Sequence, residues 1–238
     1  MPIENNVMQE QLDLLENFCY NKHLKIKESK TNLIKFNTAK TLDFPPEVKV
    51  PGFKDNLEVV KETKLLGIIL TDDLKWAANT DYICKKAYGK MWTLRRMKIL
   101  DVDPLVILDV YLKEIRAVLE LAVPAWHSGL TLRQVTDIER VQKVAVSVIL
   151  SDCKTGKTEY SYDMALALLD IEPLDFRRDK LCLKFSKKTL KSRHSDMFEA
   201  NPSEYFTRAK PKFLEPKCNT RRYYKSPLNY LTRLLNSN

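Results

Sequence analysis

Glycine is scarce in this chain, five among 238 residues, and histidine is scarcer, with three. Phosphate-cradling loops need clustered glycines, and neither GxGxxG nor GxxxxGK[ST] occurs, so both common nucleotide-binding fingerprints are excluded. Three histidines leave little material for an imidazole metal site. The cysteines, Cys19, Cys84, Cys153, Cys182 and Cys218, are odd in number and form no CxxC pair. That argues against a zinc knuckle and a disulfide framework, and it fits a reducing compartment. No run of about 18 apolar residues exists, and Met1-Pro2-Ile3-Glu4 does not open a signal peptide. The expected location is nuclear or cytoplasmic, with no membrane partner.

Charge is plentiful but unevenly placed. Charged residues make up 30% and apolar ones 44%, the balance of a globular chain with material for a hydrophobic core. Residues 1–176 hold 24 Lys+Arg against 26 Asp+Glu, net −2, whereas residues 177–238 hold 16 against 5, net +11. All the excess positive charge therefore lies in the last quarter. A basic, mostly polar stretch without a strongly amphipathic apolar face points to a polyanion, nucleic acid before membrane. The alternative is a solvated charge run with no partner.

The organisation turns on Lys64–Trp76, KLLGIILTDDLKW. Leu65, Leu66, Ile68, Ile69 and Leu70 predict a short buried strand, with Gly67 marking a bulge or a close approach. Asp72 and Asp73 follow it. Adjacent carboxylates after an apolar strand are what a two-metal phosphoryl-transfer site uses. Such a site needs another aspartate from a separate strand, and Asp43 and Asp55 lie in Pro- and Gly-bearing loops. The pair therefore reads as the polar turn before a helix, and no cofactor is expected in this chain.

Ahead of that stretch, Asn5 or Asn6 can cap a helix with Met8, Leu12, Leu15, Phe18 and Cys19 on its inner face. Leu24–Phe36 predicts strand, turn and strand; Val48 and Val50, a Pro51-Gly52 turn and Leu57–Val60 predict a second strand pair. Behind it the period becomes helical. Thr80 or Asp81 can start a helix with Ile83, Ala87, Met91 and Leu94 on one face. The opposite side collects Lys85, Tyr88, Trp92, Arg95 and Arg96, with Lys86 adjoining. Aromatics interleaved with cations can stack on bases while the cations neutralise phosphates; the same aromatics could instead be core against a neighbouring helix.

Asp103-Pro104 then opens a helix carrying Leu108, Leu112, Ile115 and Leu119, and the capping box Thr131-Leu132-Arg133-Gln134 opens another with Val135, Ile138, Val141, Ala145 and Val148 inside. A short helix over 161–169 follows. The next, from Glu172-Pro173, turns Leu174, Leu181 and Phe185 to the core and presents Lys180, Lys184, Lys187 and Lys191 as a cationic ridge. Beyond His194 the chain is basic, proline-bearing and extended, with Arg221 and Arg222 beside Tyr223 and Tyr224, and Tyr230–Leu235 able to dock as a last helix. His127 has no assignable nucleophile and reads as structural.

Taken in order, several segments resemble the reverse transcriptases of non-LTR (LINE-type) retrotransposons, jockey-like in flavour. Leu12-Asp13-Leu14-Leu15-Glu16 to Phe18, then Leu24-Lys25-Ile26 and Lys30-Thr31, resemble the end of that family's palm, with Lys27 in place of its asparagine. Leu66-Gly67, Leu74 and Trp76 resemble its primer-grip hairpin. Leu119-Glu120, Pro124, Trp126-His127-Ser128, Leu130, Ile138-Glu139 and Gln142-Lys143 resemble its post-thumb signature. Tyr162, Ala165-Leu166, Leu169, Leu174, Arg177-Arg178, His194 to Phe198 and Tyr230 to Asn236 continue it, with Asn229 in place of the usual proline.

The resemblance implies an α+β fold: a small N-terminal helix plus an antiparallel β-hairpin, the remnant of a palm, over 1–76; thumb helices over 77–122; a helical post-thumb region over 123–193; and a basic, loosely structured tail over 194–238. It implies that Lys30 lies near the incoming nucleotide, that the hairpin around Gly67 holds the primer end, and that thumb helices follow the template and primer backbone. The family's fingers and aspartate motifs would precede Leu12, so the chain is expected to be a truncated RNA-directed DNA polymerase, catalytically incomplete alone, with magnesium expected only for an intact polymerase. RNA, RNA/DNA hybrid and the missing fingers–palm part are the expected partners. The residues expected at the nucleic acid are Lys30, Gly67, Lys85, Lys86, Trp92, Arg95, Arg96, Lys180, Lys184, Lys187, Lys191, Arg221 and Arg222. The competing expectation is a non-catalytic helical module that holds a protein partner.

Overall fold

The computed structural model describes residues 5–36, 53, 57–152, 159–202 and 211–237. Helices dominate, with a few short strands. Contacts divide the chain into two units, Met1–Lys75 and Trp76–Asn238. No described helix is long and apolar enough to cross a membrane. The strand expected at Val48 and Val50 and the Pro51-Gly52 turn lie outside the described residues.

The first unit holds α1 (Asn5–Asn21), a 3-10 turn over Glu28–Lys30 and two small sheets. β1 (Leu33–Ile34) pairs in parallel with β2 (Val59–Val60), and β3 (Glu62–Leu65) pairs antiparallel with β4 (Ile68–Thr71), Leu65 opposite Ile68. The apolar run expected as one buried strand is thus a hairpin folded about Leu66-Gly67. Leu66 has φ 47° and Gly67 φ 92°, the two positive values that a type I′ turn requires. Gly67 is a turn residue and not a bulge, and Leu66 at the tip is 91% exposed.

A second departure concerns α1. Leu15 and Phe18, expected inside, are exposed together with Leu14, and Ile68 alone is buried among the described residues of this unit. Among the described residues of this unit, one helix and two two-stranded ladders are too little to enclose a core. Asp73 closes the turn after β4. Its Oδ1 accepts from Thr71 Oγ1 at 2.8 Å and from the Lys75 amide at 3.0 Å, and its Oδ2 lies 2.9 Å from Lys75 Nζ. These bonds, the Lys75 side chain foremost, hold its carboxyl down at about 2.

The second unit begins with α2 (Ala77–Ile99). α3 (Pro104–Val110) passes through a π turn, Tyr111–Arg116, into α4 (Ala117–Leu119). There follow α5 (Val123–Trp126), α6 (Leu132–Leu150), α7 (Tyr162–Leu168), α8 (Leu174–Thr189), α9 (Arg221–Tyr224) and α10 (Pro227–Asn236). Asp103 caps α3 by accepting from the Leu105 amide at 2.7 Å, and Thr131 with Gln134 completes the capping box of α6. α2 packs on α6, and α8 packs on α5, α6 and α10. Ile83, Ala87, Met91 and Leu94 of α2 and Ile138, Val141, Ala145 and Ile149 of α6 are buried at helical spacing. Along α3 to α4 the buried series is Ile107, Leu108, Tyr111, Ile115 and Leu119. Tyr111 is buried in place of the expected Leu112, and the four-residue spacing of Ile107, Tyr111, Ile115 and Leu119 matches the wider π turn.

Polar bonds lock the helices together. Glu139 Oε2 accepts from the Leu174 amide at 3.0 Å, which caps α8 from a neighbouring helix, while its Oε1 accepts from the Tyr162 hydroxyl. Gln142 Oε1 accepts from the Tyr111 hydroxyl at 2.6 Å, and its Nε2 donates to Tyr162 Oη and to the Glu172 carbonyl, each at 3.0 Å. A buried amide with these three partners is satisfied, so the network adds order without stranding a polar group.

Candidate nucleic-acid interface

α2 turns a broad charged face to solvent. Its buried stripe occupies one side, and about 100° per residue then places Lys85, Gly89, Trp92 and Arg96 in one row on the other, spaced four, three and four. Trp92 is 65% exposed and Tyr88 38%; neither is core against a neighbour. The Arg96 guanidinium carbon lies 5.9 Å from the centroid of the Trp92 ring, within cation–π range. Lys85, Lys86, Arg95 and Arg96 pair with no acidic side chain among the described residues. Lys90, by contrast, is bonded to Glu114. Unpaired cations around an exposed indole form a surface that attracts phosphate and can stack on a base.

α8 carries the second cationic surface, with its face turned from the expected one. Leu174, Arg178, Cys182, Ser186 and Thr189 are buried, whereas Phe185 is 43% exposed. At about 100° per residue the inward face is rotated by roughly 60°, so Lys180, Lys184 and Lys187 stand nearly opposite it. Lys191 follows the end of α8, its amide donating to the Lys188 carbonyl at 3.1 Å. Lys180 is bonded to Glu172 and sits 4.6 Å from the Phe176 ring centroid, so its charge is partly spent within the chain. Arg221 and Arg222 occupy α9, which Thr220 caps by accepting from the Tyr223 amide at 3.1 Å. Lys30 ends the exposed 3-10 turn and Gly67 the hairpin tip, both in the first unit.

The rotation of α8 goes with one buried long-range contact. Arg178 is fully buried and its Nε donates to His127 Nδ1 at 3.1 Å. With Nδ1 accepting, the His127 proton belongs on Nε2, which lies 2.7 Å from Asp179 Oδ1. That carboxylate also accepts from the Tyr230 hydroxyl, so α10 is fastened to α8. Both ring nitrogens of His127 are occupied and neither is left to act as a base. Burial drags the Arg178 pKa down, against the pull of Glu139, Asp175 and Asp179, while its Nη1 and Nη2 have no hydrogen-bond partner among the described residues. Burial likewise pushes the Cys182 thiol up to about 12, which leaves it a poor nucleophile. The placement of Arg178 has no local signal, since its bonded partner is 51 residues away in the chain.

No family model, curated protein or solved structure matches this chain.

Proposed function

We propose that this chain is the nucleic-acid-holding C-terminal part of an RNA-directed DNA polymerase of the non-LTR retrotransposon type. It grips RNA template and DNA primer through phosphate contacts and is catalytically incomplete alone. The observation that carries this reading is the outward face of α2, where Trp92 stands exposed among four cations without acidic partners. The ridge on α8, with Phe176 and Phe185 exposed beside its lysines, supports the same reading. Asp73 has no part in the proposed chemistry, because its oxygens serve the turn. Lys30 and Gly67 are proposed at the nucleotide and primer end on the resemblance alone.

Binding of this kind is dominated by phosphates and falls steeply with salt. The test is a titration of an RNA/DNA hybrid from low to high salt, repeated after charge reversal at Lys85, Lys86, Arg95 and Arg96 and, separately, at Lys180, Lys184, Lys187 and Lys191. We expect affinity at low salt that either set of reversals reduces while helix content holds. Absence of binding at low salt sinks the reading. Primer extension with magnesium is expected to give no product.

A second reading has its own observation. The exposed Leu14, Leu15 and Phe18 of α1 form an apolar face at helical spacing, which favours a polypeptide partner for the first unit, such as a fingers–palm part. Should neither set of reversals affect hybrid binding, the protein-interaction module becomes the better account.

A further inference from the structure

Gly89 stands in the middle of α2, where a glycine weakens the helix relative to alanine. Nothing among the described residues requires it: a Cβ built there meets none of their atoms within 4 Å, and its backbone has no positive φ. Its position in the row Lys85, Gly89, Trp92, Arg96 places this bare stretch of backbone one turn before the exposed indole, with a cation at either end. Arg96 attends the ring at 5.9 Å. The helix thus presents a gap beside a flat aromatic wall, flanked by positive charge.

Resting on the nucleic-acid reading, we infer that Gly89 is the floor of a notch that takes one unpaired base, stacked on Trp92, with Lys85 and Arg96 against the flanking phosphates. Base-paired duplex does not fit this notch, because its bases are stacked inside the helix and only their edges and backbone reach a protein. A single strand presents its base faces, and an exposed aromatic stacks on any of them with little regard to sequence. Charge complementarity fixes the occupant as a polyanion, and the bare backbone at Gly89 leaves room for a ring to lie along the helix. The notch is therefore a single-strand site, while hybrid is gripped on the same face by phosphate contacts alone.

The three tryptophans make this measurable, since Trp76 and Trp126 are buried and Trp92 is exposed. The full chain is titrated at low salt with an oligouridylate of about ten nucleotides and with a blunt RNA/DNA hybrid, following tryptophan emission and affinity. Oligouridylate is expected to quench Trp92, and hybrid to bind with much less quenching. Trp92→Ala should weaken oligouridylate binding roughly tenfold. Gly89→Leu, which fills the gap with a good helix former, should weaken it by a similar factor and leave hybrid affinity within about twofold, while raising Tm by about 2 °C. Stability and binding then move in opposite directions, which a purely structural role for Gly89 does not produce. Gly89→Leu binding oligouridylate like the parent, or losing both ligands equally, overturns the notch and leaves the nucleic-acid reading intact. Failure of the parent chain to bind either ligand overturns both.

Discussion

Gly129 lies against the indole of Trp76, so closely that a Cβ placed there would be 2.5 Å from Nε1 and 2.6 Å from Cδ1. A methyl group cannot enter without moving the ring, and overpacking of this kind costs about 1–3 kcal/mol. Gly129→Ala should therefore lower the urea midpoint of the full chain, and Trp76→Leu in the same background should recover part of the loss by vacating the space. An unchanged midpoint in Gly129→Ala would mean that the indole swings aside freely.

Asp179 sets a second expectation at the scale of single residues. Burial raises its carboxyl, but the hydrogen bonds from His127 and Tyr230 and the charge of Arg178 outweigh that, so it lies below the usual value. A lowered pKa means that the fold favours the ionised form. The contribution is complete above the unfolded value of about 3.9 and is lost as pH falls from there through the folded one. The carboxylate is half-exposed, so the acid limb should be shallow. Tyr230→Phe should make that limb shallower still, and urea denaturation between neutral pH and pH 3 would register the change. Burial and the same bond raise the Tyr230 phenol, so its share is present below the unfolded value of about 10 and fades as pH rises through the folded one.

Among the elements, the β3–β4 hairpin keeps a leucine where the turn favours asparagine. Leu66 at φ 47° occupies the first central position of the type I′ turn, a left-handed conformation that costs a non-glycine residue about 1 kcal/mol. Leu66→Asn should slow amide exchange across β3 and β4, consistent with about 0.5–1 kcal/mol of added stability. Exchange no slower than in the parent would show that the apolar tip already contributes as much as the turn loses.

The same scale shows what was legible in the sequence. Asp103-Pro104 and Thr131 with Gln134 act through atoms within three residues, and the helices they start stand where the sequence puts them. The α2 stripe of Ile83, Ala87, Met91 and Leu94 is likewise local periodicity, and it is buried as read. Periodicity names the residues that share a face but not whether a neighbour covers it, so Trp92 could be read as core or as surface until its exposure was seen. The inward face of α8 is not legible locally, because Arg178 bonds to His127, a partner that no local pattern reveals. The apolar run around Gly67 reads as one strand from period and composition, which are the same in a strand and in the two arms of a tight hairpin, whereas the resemblance puts a hairpin there, as does the antiparallel pairing of β3 with β4.

For the molecule as a whole, the net charge of +9 understates how the cations are arranged, because some are neutralised in place and others are not. A cation releases a counterion, and so steepens the salt dependence of binding, only if it is free before the phosphate arrives. On that argument the four cations of the α2 face count in full, as do Lys184 and Lys187, which have no acidic partner among the described residues. Lys180, already bonded to Glu172, counts for less. Changing Lys85, Lys86, Arg95 and Arg96 together to glutamine should flatten the plot of log K against log salt on RNA/DNA hybrid by about 3 to 4, if each meets a phosphate. The pair Lys184→Gln and Lys187→Gln should flatten it by about 2, and Lys180→Gln alone should change it by well under 1. If Lys180→Gln changes the slope as much as Lys184→Gln does, Glu172 gives up its lysine on binding, and the two residues act as a switchable pair.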